Sequence, residues 1–190
     1  MTVFTNPGID ETRLKNAGRM PFFVSGFLLS AWAPLVPYAK VRAGIETESI
    51  LGALLLCLGM GSTVAMAIAG TVSMRLGCRR TIIIAAVGAA CALVGLSVSS
   101  SVVGLGAVLF FFGAFLGMMD VAFNVHAVKV QELLNQKLMS GFHSIYSVGG
   151  FLGAGVVSVL LLAGLTPVMT TFFSFVMVMA LLLKWGGGIL

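Results

Sequence analysis

Six apolar runs decide what this chain can fold into: Met20 to Ala39, Ile50 to Val72, Thr81 to Val98, Val102 to Val125, Gly141 to Ala163 and Pro167 to Leu183. Each is about as long as a helix needs to cross ~30 Å of hydrocarbon, the last lying near the short limit of about 17 residues. Within lipid every backbone N–H and C=O must be satisfied inside the segment, which selects helices for runs of this length. The fold class is therefore all-α integral membrane protein with six transmembrane helices. Composition agrees, since hydrophobic residues make up 59% and charged residues 9%, against about 25% charged in a soluble domain. The 24 glycines suit membrane helices, which pack through small residues that let backbones approach.

Basic residues set the orientation, because cytoplasmic loops carry the excess of Lys and Arg. With a cytoplasmic amino terminus, the inner segments hold Arg13, Lys15, Arg19, Arg75, Arg79, Arg80, Lys129, Lys137 and Lys184, and the outer ones only Lys40 and Arg42. Both termini are expected in the cytoplasm, with the chain in a bacterial inner membrane. Membrane topology accounts for the net charge of +5, and no nucleic acid is needed. Residues 1–19 form a polar tail. Ala31-Trp32-Ala33 resembles a signal-peptide cleavage site, but the apolar run continues past it, so no cleavage is expected. Cys57, Cys78 and Cys91 show no metal or disulfide spacing and read as small hydrophobes.

One acid, Asp120, interrupts the apolar runs. A charged Asp near the bilayer centre costs about 2.5–3.5 kcal/mol on insertion scales, so such a residue seldom faces lipid and is by default a candidate for function. At ~100° per residue, Gly106, Gly113, Gly117 and Asn124 fall within roughly 60° of Asp120. Phe111, Phe115, Met118 and Val125 fall on the other side. The first face is fit for neighbouring helices or a water-filled cavity, the second for lipid. A packing role, with Asp120 held by a hydrogen bond, is the alternative.

The inner loop Gly70 to Ile82, GTVSMRLGCRRTI, resembles the loop signature of the major facilitator superfamily, G-x-x-x-D-R-x-G-R-[RK]-x-x-[IL]. Gly70, Arg75, Gly77, Arg79 and Ile82 match, and Arg80 adds to the basic cluster. Met74 stands where the pattern has Asp, and Cys78 where it often has Arg. The missing acid removes the charge pairing by which that loop, in the family, helps latch the inner gate. An ordinary cytoplasmic anchor, with Arg side chains snorkelling to headgroups, is the plainer reading of the same residues.

LGMMDVAFNVHAV and FHSIYSVGGFLGA, with LLSAWAPLVPYAK in the first span, resemble the fucose-permease-like branch of that superfamily. Its fourth span has an acid followed four residues later by Asn, matched by Asp120 and Asn124. The resemblance implies proton coupling at Asp120 and polar contributions from the fifth span near His143 and Ser147. The branch's first-span Asp has no counterpart, so sugar specificity does not carry over. Trp32 is either a stacking platform for substrate or an interfacial belt residue. Pro34 and Pro37 are expected to bend the first span at its outer mouth.

The resemblance covers nearly all of this chain but half of a twelve-span transporter, which is built from two six-helix halves of inverted three-helix repeats. A short echo, Gly26-Phe-Leu-Leu-Ser in the first span and Gly113-Ala-Phe-Leu-Gly in the fourth, fits such a repeat. The ending after Lys184, residues 185–190, reads as the tail of a truncated or frame-shifted product. His126 lies about 120° round the helix from Asp120 and no paired-ligand spacing occurs, so neither metal nor cofactor is expected. No nucleophile set or phosphate loop suggests an enzyme. The expectation is an amino-terminal transporter half for proton-coupled symport of a small polar solute, sugar-like solutes being one class it could take. Its partners would be solute, protons, the bilayer and a second six-span half. The alternative is a truncated, non-transporting membrane protein, or a scaffold whose glycine faces bind another six-span chain.

Overall fold

The computed structural model describes residues 11–189; the first ten residues of the polar tail and Leu190 lie outside the described residues. The elements are α1 (Glu11–Ala31), a 3₁₀ turn (Ala33–Leu35), α2 (Val36–Ala43), α3 (Glu48–Leu76), α4 (Cys78–Val98), α5 (Val102–Leu134), α6 (Met139–Leu162), α7 (Pro167–Trp185) and a 3₁₀ turn (Gly186–Gly188). There is no strand among the described residues. Six helical segments are long and apolar enough to span, with α1 and α2 together forming the first.

Among the described residues the helix of the first span already runs from Glu11, nine residues before the apolar run. Leu14, Ala17, Gly18 and Pro21 are buried there, the i, i+3, i+4, i+7 stripe of an amphipathic helix, while Lys15 pairs with Glu11 at 3.1 Å. At its carboxyl end the helix breaks at Trp32, and Pro34 sits in the first turn of the 3₁₀ segment, a bend as expected of the two prolines. Two of the turns between spans are short and capped. Ser101 Oγ accepts from the Gly104 amide at 3.1 Å and Thr166 Oγ1 from the Met169 amide at 3.3 Å, each satisfying an amide that the helix leaves free.

Two parallel helix pairs carry the architecture, α1 with α6 and α3 with α5, and their contacts correspond residue by residue. A Cβ on Gly26 of α1 would strike the Tyr146 carbonyl oxygen of α6, and one on Gly149 of α6 the Phe23 carbonyl of α1. In the other pair, a Cβ on Gly113 of α5 would strike the Leu58 carbonyl of α3, and one on Gly61 of α3 the Phe110 carbonyl of α5. Phe23 precedes Gly26 by three residues, as Phe110 precedes Gly113. Tyr146 precedes Gly149 by the same three, as Leu58 precedes Gly61. Exchanging the first three spans with the last three therefore maps one interface onto the other, the pattern of an inverted repeat. Ser30, Ala65, Gly117 and Gly153 lie four residues beyond these glycines, giving each helix a small-xxx-small seam.

The bulky side of α5 is only partly a lipid face. Phe111 and Val125 are exposed, but Phe115 lies over Gly88 of α4, 2.5 Å from where a Cβ would stand. Without a side chain at Gly88, α4 can approach α5 closely enough to be covered by that ring. Residues 185–189, expected as an aberrant tail, pack inward. Gly186 and Ile189 are buried, and a Cβ on Gly188 would meet the Ala17 Cβ at 2.8 Å.

The two cations of α2, Lys40 and Arg42, have structural partners. The Arg42 guanidinium donates from Nε to the Ser99 carbonyl at 2.9 Å and from Nη2 to the Leu96 carbonyl at 2.7 Å, supplying positive charge at the carboxyl end of α4. Lys40 pairs with exposed Glu48 at 2.6 Å. Charge-assisted hydrogen bonds contribute about 1.5–3 kcal/mol, whereas exposed ion pairs contribute about 0–1 kcal/mol. Arg42→Gln should lower the unfolding temperature in detergent by several degrees and Lys40→Gln by no more than about two. Equal shifts would remove the clamp from the account.

Candidate functional site

Asp120 is half-buried on α5 and opens onto a cleft of about 200 Å³ where α1, α3, α5 and α6 meet. Ser25 of α1, Ser62 of α3 and Tyr146 of α6 supply the other polar side chains of the wall. The helix packing explains why a cleft lies there. Gly113 and Gly117 draw α5 onto α3, with a Cβ on Gly117 reaching 2.5 Å from the Ser62 carbonyl. One turn further along, Asp120 is large enough to leave a gap rather than continue the seam.

The Asp120 carboxylate accepts no hydrogen bond and forms no ion pair among the described residues. Asn124 donates its side-chain amide to the backbone carbonyl of Asp120 at 2.9 Å, so it is spent on its own helix. His143 and Tyr146 of α6 both interact electrostatically with Asp120. The exposed His143 ring sits edge-on to Phe22, with centroids 5.3 Å apart. Ser147 is exposed on the same helix and donates to the His143 carbonyl at 3.4 Å.

Trp32 does not join this group. Its ring is buried in the core, its indole Nε1 has no hydrogen-bond partner among the described residues, and it does not line the cleft. His126 is likewise fully buried, with neither ring nitrogen bonded. Ser25, Ser62 and Tyr146 were not singled out from the sequence, because a serine or tyrosine in an apolar run carries no signal until the partner helices are known.

The turn between α3 and α4 is built on Gly77, whose φ of +83° lies where only glycine is comfortable, letting α4 start directly after α3. Arg75, Arg79 and Arg80 are exposed and form no ion pair among the described residues. Gly70 lies within α3 with open space around its α-carbon. Cys78 accepts a hydrogen bond from Lys129 Nζ of α5 at 3.9 Å, tying the loop to the inner part of α5.

Fold and site together define an all-helical integral membrane protein of six spans, with a carboxylate and three hydroxyls in a largely apolar cleft at the junction of its repeats. The chain is 41% identical over 177 residues, 93% of its length, to an uncharacterized MFS-type transporter of Yersinia pestis. It is 34% identical over 133 residues, 70% of its length, to the uncharacterized transporter y4wD of Sinorhizobium fredii. A third likeness, 32% over 158 residues and 82% of the chain, is to membrane protein MosC of Rhizobium meliloti. These alignments cover 45%, 35% and 38% of the relatives, so the chain spans less than half their length. No family model matches the chain. The relatives named as transporters support membership of the major facilitator superfamily.

Proposed function

We propose that this chain is one half of a proton-coupled secondary transporter for a small polar solute, of the fucose-permease-like branch, with both termini in the cytoplasm and no enzymatic activity. The observation that carries the reading is the unpartnered Asp120 carboxylate in the cleft between four spans. A carboxylate kept only for packing would have a hydrogen-bond donor holding it, because an unsatisfied polar group at a helix interface costs free energy. Asp120 has none among the described residues. A proton site needs the opposite, a group free to be neutral when the cleft is dry and ionised when it is wet. The superfamily likeness of the relatives points the same way.

Dicyclohexylcarbodiimide tests this on the chain itself, since it partitions into apolar regions and forms a stable adduct with carboxyl groups in the protonated form. Mass spectrometry of the labelled protein should find the adduct at Asp120, in a yield that falls as the reaction pH is raised. Absence of an Asp120 adduct at every pH, or a yield indifferent to pH, would remove the proton-site reading.

A further inference from the structure

The remaining polar groups of the cleft bear on which solute enters. No lysine or arginine lines it. The side chain on the described helices whose positive form reaches Asp120 electrostatically is His143, which stands outside the lining and is exposed. The Ser25 and Tyr146 hydroxyls make no hydrogen bond among the described residues, and the Ser62 hydroxyl makes only a long contact to Met66 Sδ at 3.8 Å. An incoming molecule thus meets one carboxylate and three hydroxyl oxygens, all able to accept hydrogen bonds, with no fixed positive charge.

From this balance we infer that the cleft takes a small organic ammonium ion, with its N–H groups directed at Asp120 and the hydroxyls of Ser25, Ser62 and Tyr146. An anion would meet the like charge of ionised Asp120 in a half-buried site with only the exposed His143 near enough to offset it, a juxtaposition that costs far more there than in water. A neutral solute could use the hydroxyls only with a proton on Asp120; beside the ionised carboxylate it would leave that charge desolvated and unpaired. An ammonium group satisfies both. It also competes with the proton for one carboxylate, so solute and proton would be exchanged in opposite directions. The inference rests on the reading of this cleft as the solute site, but binding needs no gradient and no coupling, so the two can fail separately.

Three probes of one size decide it: 2-amino-1,3-propanediol, glycerol and glycerate, which present a cation, a neutral molecule and an anion on a three-carbon skeleton. Saturation-transfer NMR on the full chain in glycerol-free detergent at pH 8 should show the amine binding at least tenfold more tightly than glycerol, and glycerate not at all. Asp120→Asn should reduce the amine to the level of glycerol. Asp120→Glu, which keeps the charge, should retain the preference and guards against a fold-wide effect of the first change. Glycerol binding as well as the amine, amine binding that survives Asp120→Asn, loss of the preference in a folded Asp120→Glu, or no binding by any probe at tens of millimolar would each overturn the inference.

Discussion

Gly61→Ala should abolish most of the folded, monodisperse protein recovered in detergent, while Gly59→Ala, two residues away on the same helix, should leave the yield unchanged or slightly raised. A Cβ at position 61 would collide with the Phe110 carbonyl oxygen and approach the Ala114 amide nitrogen at 3.1 Å. These are backbone atoms of a helix that cannot swing aside. Overpacking usually costs about 1–3 kcal/mol when side chains can yield; a backbone neighbour places this case at or above the top of that range. Gly59 has open space, and alanine there gains up to about 1 kcal/mol of helix propensity. The repeat relation predicts the same contrast in α6, where a Cβ on Gly149 strikes the Phe23 carbonyl and Gly155 is open. Size-exclusion profiles and unfolding temperatures of the four variants check it. Equal behaviour of Gly61→Ala and Gly59→Ala would mean that the seams do not hold the helix pairs together.

Some of this packing could be read from the residues. The echo between Gly26 and Gly113 marks equivalent positions, because both glycines admit a carbonyl from the partner helix. The spacing Gly113-x-x-x-Gly117 and Gly149-x-x-x-Gly153 was the fuller signal, since residues four apart share a helix face. These glycines are consumed inside the chain, which withdraws them from any seam with another six-span protein. Helical periodicity placed Asp120 on the small face of α5 but gave no information about which helix faces it. Tyr146 comes from a helix 26 positions later in sequence, brought in by the Gly26 contact with its carbonyl. Trp32 illustrates the converse failure. An aromatic at a span end looks interfacial from hydropathy alone, yet the turn at Pro34 folds the chain so that the ring enters the core. Lys40 and Arg42, the two basic residues that charge bias sets apart from the other nine, are held by Glu48 and by the α4 carboxyl end.

In a transporter restored to the length of the relatives, Asp120→Asn should abolish solute accumulation driven by a pH gradient, while the folded yield stays at the wild-type level. The amide is nearly the same size as the carboxyl and hydrogen-bonds as well, so the contacts around Gly117 and Ser62 are undisturbed. It cannot release a proton. Asp120→Leu should also end accumulation and lower the yield, because a branched apolar chain fills the cleft beside Leu116 and Ser62. Exchange of solute across membranes with no pH gradient then separates the two roles of the site. If the carboxylate carries only the proton and the solute is neutral, exchange survives in Asp120→Asn. If the carboxylate also holds an ammonium group, exchange is lost with accumulation, since the amide offers no charge to the cation and leaves it desolvated and unpaired. Undiminished pH-driven accumulation by the Asn variant would exclude Asp120 from coupling altogether, leaving a residue whose only role is the shape of the gap between α3, α5 and α6.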